Sequence, residues 1–177
     1  QFKWLERGKL SQKDGEKLFF GEDPFEQGQP KTFNVLAAEA VIHDDHAPDG
    51  RGKPFLGVFK ADVDNLGFIF SFGLGDRLSV SRFAAMSRML NHFFADYLVG
   101  RIKRDFPDIY VVFAGGDDLF LLGPWTDIVD FALEVRREFG RFVANNQAVT
   151  LSAGLALGRP GLPVQTAAHE AEEQLEA

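Results

Sequence analysis

The sequence predicts an α+β domain of the ferredoxin-like, split-βαβ kind. Three observations carry this. Apolar runs of strand length fall at 55–61, 109–114, 119–122 and 149–157. Two longer stretches between them repeat apolar residues at three- and four-residue spacing. Gly115-Gly116-Asp117-Asp118 joins the two middle strand runs as a tight hairpin, because glycine supplies the positive φ such a turn needs. The order is β-α-β-β-α-β followed by a helix, an antiparallel sheet with helices on one face.

Residues 55–61 form a nearly continuous apolar run, the pattern of a buried central strand. Residues 62–76 are a Gly-containing connector. Ser79 or Ser81 is placed to cap a helix reaching about residue 103, with Phe83, Met86, Leu90, Phe93, Phe94, Tyr97 and Leu98 on its apolar face. Pro107 closes that connection. After the hairpin, Thr126 is expected to cap a second helix over 127–145, whose apolar face is Ile128, Phe131, Val135, Phe139 and Phe142. Residues 149–157 alternate, which predicts a strand burying Val149, Leu151, Ala153, Leu155 and Leu157. Pro160 and Pro163 end it, and 166–177 begins a third helix. Residues 1–54 read as an irregular N-terminal extension with one short amphipathic helix near 33–42 and a polar surface loop over 43–54. The main domain is then 55–177.

Composition bounds the rest. The chain has 177 residues, 45% of them apolar and 25% charged, enough to build a core. Lys and Arg number 19 against 26 Asp and Glu, so the chain carries a formal charge of −7 and is poorly suited to generic nucleic-acid binding. The absence of Cys excludes disulfides and thiolate metal centres and is consistent with a cytoplasmic setting. No apolar run has the length of a membrane span, so no membrane partner is expected. Gln1 is not an initiator, and the sequence reads as a piece of a longer polypeptide.

Two acidic clusters carry the chemistry. Asp62-Val63-Asp64-Asn65-Leu66-Gly67 ends the first strand, and Asp117-Asp118 sits at the hairpin tip. In a split-βαβ sheet these two places share one edge, so three or four carboxylates would converge. Packed carboxylates repel, and a site that tolerates them normally holds a divalent cation between them. Mg²⁺ and Mn²⁺ take oxygen ligands together with substrate phosphates, and paired ions clamp an in-line phosphoryl displacement. Gly115 and Gly116 leave room for a triphosphate to approach the backbone, and residues from Asn65 to Gly67 lead into amides able to cradle phosphate.

Each cluster has a plainer reading. Asp-x-Asp is common in loops, and Gly-Gly-Asp-Asp alone makes a good turn. The functional reading rests on the two occurring jointly at matched positions. Other candidates are weaker. His43-Asp44-Asp45-His46 resembles a metal cluster, but adjacent residues cannot all face one ion. His92 reads as a packed or surface residue and His169 as solvated. Arg136, Arg137 and Arg141 fit a solvated helix face better than a phosphate site. Gly73-Leu-Gly75 lacks the spacing of a dinucleotide fingerprint, and the 19 Phe residues fall mostly on core periodicities.

Lys60-Ala-Asp-Val-Asp-Asn-Leu-Gly67, Phe113-Ala-Gly-Gly-Asp-Asp-Leu-Phe-Leu-Leu-Gly-Pro-Trp125 and Leu151-Ser-Ala-Gly-Leu-Ala-Leu157 together resemble the large subunit of type III CRISPR–Cas effectors, the Csm branch in particular. The likeness is to its second palm domain, a fold related to nucleotide cyclase and polymerase palms, and covers about residues 33–177. It implies a nucleotidyltransferase in which two palms of one subunit join ATP into cyclic oligoadenylate messengers for antiviral defence. It further implies other subunits of a ribonucleoprotein, and guide and target RNA acting through that complex. Carried over, Asp62, Asp117 and Asp118 would be catalytic metal ligands for a two-ion Mg²⁺ or Mn²⁺ site, with a Val63 backbone carbonyl added. Asn65, Leu66, Gly67, Gly115 and Gly116 would bind the triphosphate. The resemblance also implies a helix continuing past Ala177 to a phosphate-contacting Lys and a final strand, besides a nuclease-type N-terminal domain and a first palm. One palm alone would make little cyclic product.

Two alternatives stay open. Diguanylate cyclases share the palm and a Gly-Gly hairpin, but they carry an Asn eight residues after the first Asp, where this chain has Phe70, and a Glu where it has Asp118. A non-catalytic scaffold palm is the other, against which the intact acidic set argues. A polymerase ranks below both, because no fingers or template-binding segment is visible.

Overall fold

The computed structural model describes residues 31–44, 47–72, 75 and 79–176. Its centre is a four-stranded antiparallel sheet built from β3 (Leu56–Val63), β4 (Tyr110–Gly115), β5 (Asp118–Pro124) and β6 (Leu151–Gly158), in the spatial order β4-β5-β3-β6. This is the split-βαβ order, with the first strand of the unit inserted beside the hairpin's second strand. β3 is central on both sides. It pairs with β5 from Leu56 opposite Pro124 to Ala61 opposite Leu119, and with β6 from Leu56 opposite Gly158 to Val63 opposite Leu151.

Alternation along β3 splits the interior in two. Phe59, Ala61 and Val63 face a large core shared with the crossover helices, while Leu56 and Val58 face a smaller one on the other side. The second crossover, α5 (Trp125–Phe142), has the predicted face: Ile128, Phe131 and Val135 are fully buried. Its first turn starts at Trp125, one residue before the expected cap, and has no capping side chain. The first crossover begins at Ser79, whose hydroxyl accepts from the Arg82 amide, as α3 (Val80–Asn91). It continues unbroken through a π-helical stretch, His92–Leu98, into α4 (Val99–Asp105). The buried residues explain the π turns. Phe94, Leu98 and Ile102 recur every four residues. Four residues of α-helix overshoot a full circle by about 40°. Looser π turns remove that drift and keep all three on the sheet.

The two crossover helices share one face of the sheet, as expected. A second layer, which the sequence pattern did not indicate, lies on the other face. There α1 (Phe33–Ala38) and α6 (Val164–Glu176) contribute Leu36, Ala37, Ala167 and Ala171 to the smaller core. This corrects the reading of β6. Of the residues expected on its buried side, Val149, Leu151 and Leu155 pack against the large core while Ala153 and Leu157 are exposed; the opposite side is buried as well, Gly154 and Ala156 beneath α6 and Gly158 beneath Leu162. Small residues suit that side because the helix backbone lies directly on it. A Cβ at Gly154 would stand 2.8 Å from the Ala171 carbonyl carbon and 2.9 Å from the Leu175 amide.

The polar stretch expected to be a surface loop instead forms a two-stranded antiparallel hairpin, β1 (Ile42–Asp44) and β2 (Ala47–Arg51). Within it, Asp45 and His46 of the His-Asp-Asp-His motif lie outside the described residues, as do residues 1–30 and Gly73 and Leu74. The connector after β3 contains a short helix, α2 (Leu66–Phe72). No helix among the described residues is long and apolar enough to cross a membrane.

Candidate metal and nucleotide site

Asp62 is the penultimate residue of β3, and the sheet register sets Ala61 opposite Leu119, one residue past Asp118. The β4–β5 hairpin pairs Gly115 with Asp118, so Asp117 sits in the turn itself. Three carboxylates from two distant segments therefore meet at one corner of the sheet. One oxygen from each of Asp62, Asp117 and Asp118 lies within 4.8 Å of the other two. The backbone is bent to make this possible. Gly116 has φ +63° at the hairpin turn, and Asn65 has φ +53° in the turn after β3. Asn is among the few non-glycine residues that tolerate this region.

The corner is electrostatically unfavourable as it stands. Burial, followed by the neighbouring Asp117 and Asp118 carboxylates, pushes the Asp62 carboxyl up to about 6 from an ordinary 3.8, against a smaller opposing pull from the Val63 backbone. The folded protein thus holds this proton more tightly than the unfolded chain. Its stabilising effect is complete below pH 3.8 and is lost as pH rises through about 6. Metal-free protein is expected to lose melting temperature over that interval, and Asp62→Asn to flatten the limb. Melting curves in chelator between pH 4 and 7 check this.

The remaining predicted residues fall nearby in different ways. Val63 buries its side chain in the large core, so only its backbone can serve the corner. Asn65 and Gly67 are exposed, and nothing lies within 4 Å of a Cβ built on Gly67. Leu66 opens α2 and packs against the large core. Gly116 is likewise open, whereas a Cβ on Gly115 would lie 3.3 Å from Asn91 Oδ1. Asp64 donates its amide to the Thr150 carbonyl at 3.0 Å, which braces the loop. The weaker candidates fall elsewhere. His92 is exposed and bonds Asp96 at 2.8 Å, and His169 pairs with Glu173. Arg137 and Arg141, themselves exposed, pair with the buried carboxylates of Glu134 and Glu138 along α5.

Two residues escaped the sequence reading. Asn91 accepts a hydrogen bond from the Gly116 amide at 3.1 Å. Nothing local marks it; only the fold brings it to the hairpin. Lys60 pairs with Glu172 of α6 and lies over the Phe120 ring, 5.3 Å from its centroid. A signal existed here, since a lone Lys inside a buried apolar run needs a partner.

The donor set is all oxygen, anionic and without a described cation in contact, which suits a hard divalent ion such as Mg²⁺ or Mn²⁺ and offers no thiolate or imidazole to a softer one. A split-βαβ sheet of this order is a palm domain, here with an acidic corner that could hold a metal ion. The comparisons with known proteins specify it further: the family described as Cas10/Cmr2, second palm domain, matches residues 55–177, and the chain belongs to that family. A Methanocaldococcus jannaschii protein named CRISPR system single-strand-specific deoxyribonuclease Cas10/Csm1 (subtype III-A) is 40% identical over 136 residues, 71% of this chain and 17% of the relative. The protein of the same name from Streptococcus thermophilus is 32% identical over 181 residues, 96% of this chain and 23% of the relative. The chain thus spans about a fifth of the curated relatives it matches. Among solved structures, a Csm1–Csm4 cassette in complex with cA4 aligns over 89% of this chain and 22% of its own, with TM-score 0.70 and 32% identity.

Proposed function

We propose that this palm binds ATP through a divalent cation held by Asp62, Asp117 and Asp118 and, facing a second palm of the same subunit, joins ATP into cyclic oligoadenylates that signal in antiviral defence. The observation that carries this reading is the convergence of three carboxylates at one corner without a countercharge from the described residues. Solved relatives described as complexes with cA4 and with AMPPNP support it. The relatives' names record a deoxyribonuclease. We place that activity in the nuclease-type domain outside the matched stretch.

When bound, the cation would neutralise triphosphate charge and make a ribose hydroxyl more acidic. The chain's own share is placement. Asp62 is fixed by β3, whose neighbours on both sides set its register. Asp117 and Asp118 are fixed by the hairpin. Asn65, Leu66 and Gly67 offer backbone at the start of α2, and Gly116 leaves an open approach for phosphate. Other subunits of a type III ribonucleoprotein, with guide and target RNA, would control the reaction from outside this palm.

Base choice has a structural correlate. Position 70, where diguanylate cyclases carry a guanine-reading Asn, holds Phe70, whose ring packs on Phe83 with centroids 4.6 Å apart. It presents no hydrogen-bonding group. Calorimetry with ATP and GTP in Mn²⁺ is expected to show ATP bound at least tenfold more tightly. Preference for GTP would move the chain to the diguanylate reading, and binding of neither would make it a scaffold.

A further inference from the structure

Asn91 stands where the long crossover helix changes from α to π geometry, and it reaches across to the acidic hairpin. Its Oδ1 accepts from the Gly116 amide at 3.1 Å and lies 3.3 Å from where a Cβ on Gly115 would be. The neighbours Leu90, Phe93 and Phe94 are buried in the large core, so the helix at this point is anchored to the sheet. The side chain between them is therefore presented from a rigid base. π turns inside α-helices recur at functional sites. Gly115 is explained by the same contact, since a bulkier residue would press on Asn91.

The turn needs such a brace. Gly116 has φ +63° and a full range of alternatives in the absence of a side chain. The like-charged carboxylates of Asp62, Asp117 and Asp118 lie within 4.8 Å of one another, which favours an opened hairpin tip whenever no cation is bound. A bond from outside the hairpin to the Gly116 amide opposes that opening. We propose that Asn91 is a positioning residue for the divalent cation: it holds the Gly115–Asp118 turn in the geometry that lets Asp117 and Asp118 act together with Asp62. The role rests on the metal-site reading above. It resembles the way outer partners of metal ligands set affinity without touching the ion.

The test separates the two ideas. In wild type, Mn²⁺ titration by calorimetry should show binding, and in Asn91→Ala the affinity should fall tenfold or more. Metal-free Asn91→Ala should melt within about 3 °C of wild type, because the better helix propensity of Ala offsets much of the lost bond. Asn91→Asp, which keeps an acceptor for the Gly116 amide, should bind Mn²⁺ within about threefold of wild type or more tightly. In metal-free protein, exchange of the Gly116 amide hydrogen should be at least tenfold faster in Asn91→Ala than in Asn91→Asp. Equal Mn²⁺ affinity in wild type and Asn91→Ala, or equal Gly116 exchange in the two variants, would overturn the role of Asn91 while leaving the metal site standing. Absence of Mn²⁺ binding to wild type would overturn the metal site itself.

Discussion

Gly154→Val is expected to displace α6 from the sheet and lower the melting temperature by 10 °C or more. The position leaves no room for even a methyl group. Its nearest obstacles are the carbonyl of Ala171, whose carbon lies 2.8 Å from the Cβ position, and the amide of Leu175 at 2.9 Å. These are backbone atoms of a helix, and they cannot rotate aside as a side-chain tip would. Either the helix lifts or the edge strand bends. Lifting exposes Ala167 and Ala171 and opens the smaller core around Leu36, Leu56, Val58 and Leu122. Ordinary overpacking costs about 1–3 kcal/mol, and this exceeds it because the obstruction is main chain. At roughly 2–4 °C per kcal/mol for a chain of this size, the fall should be plain in a thermal scan. A variant melting within 2 °C of wild type would show that α6 is not seated as described.

The second large effect has two signs. Asp117→Ala/Asp118→Ala should abolish the rise in melting temperature expected of the wild type with Mn²⁺ and ATP, yet in chelator the same variant should melt no lower than wild type. A ligand present at one hundred times its dissociation constant stabilises by about 2.7 kcal/mol, a rise of roughly 5–10 °C here. Losing two of the three proposed ligands should remove it. Without the ion, the same two carboxylates only repel Asp62, and their removal lowers the cost of folding. Residues retained purely for the hairpin would show the reverse, a loss in chelator and no change in the ligand effect. That outcome would favour a scaffold palm.

The sheet was legible because its strands are apolar runs bounded by turn residues, and the Gly-Gly-Asp-Asp turn fixed the pairing of β4 with β5. From that order the meeting of Asp62 with Asp117 and Asp118 followed as topology. What was not legible lacked an apolar signature. The β1–β2 hairpin is written in polar residues with Pro48 and Gly50, which read as loop. The second packed side of β6 is Gly154, Ala156 and Gly158, whose small size registers as little hydrophobicity yet, at Gly154, permits the closest approach of a helix. α2 was hidden by Gly67 and its own brevity. Asn91 looked like any polar helix residue, since its meaning depends on a hairpin more than twenty positions away and on a change of helical pitch.

Lys60 and Asp62 project from the same face of β3, two residues apart, but the ammonium of Lys60 is turned to Glu172 of α6. The only positive side chain that this strand carries is thereby engaged with the helix above it. Among the described residues that leaves the acidic corner in deficit, so on the metal-site reading its occupancy should follow the ionic composition of its surroundings more closely than any rearrangement of the protein.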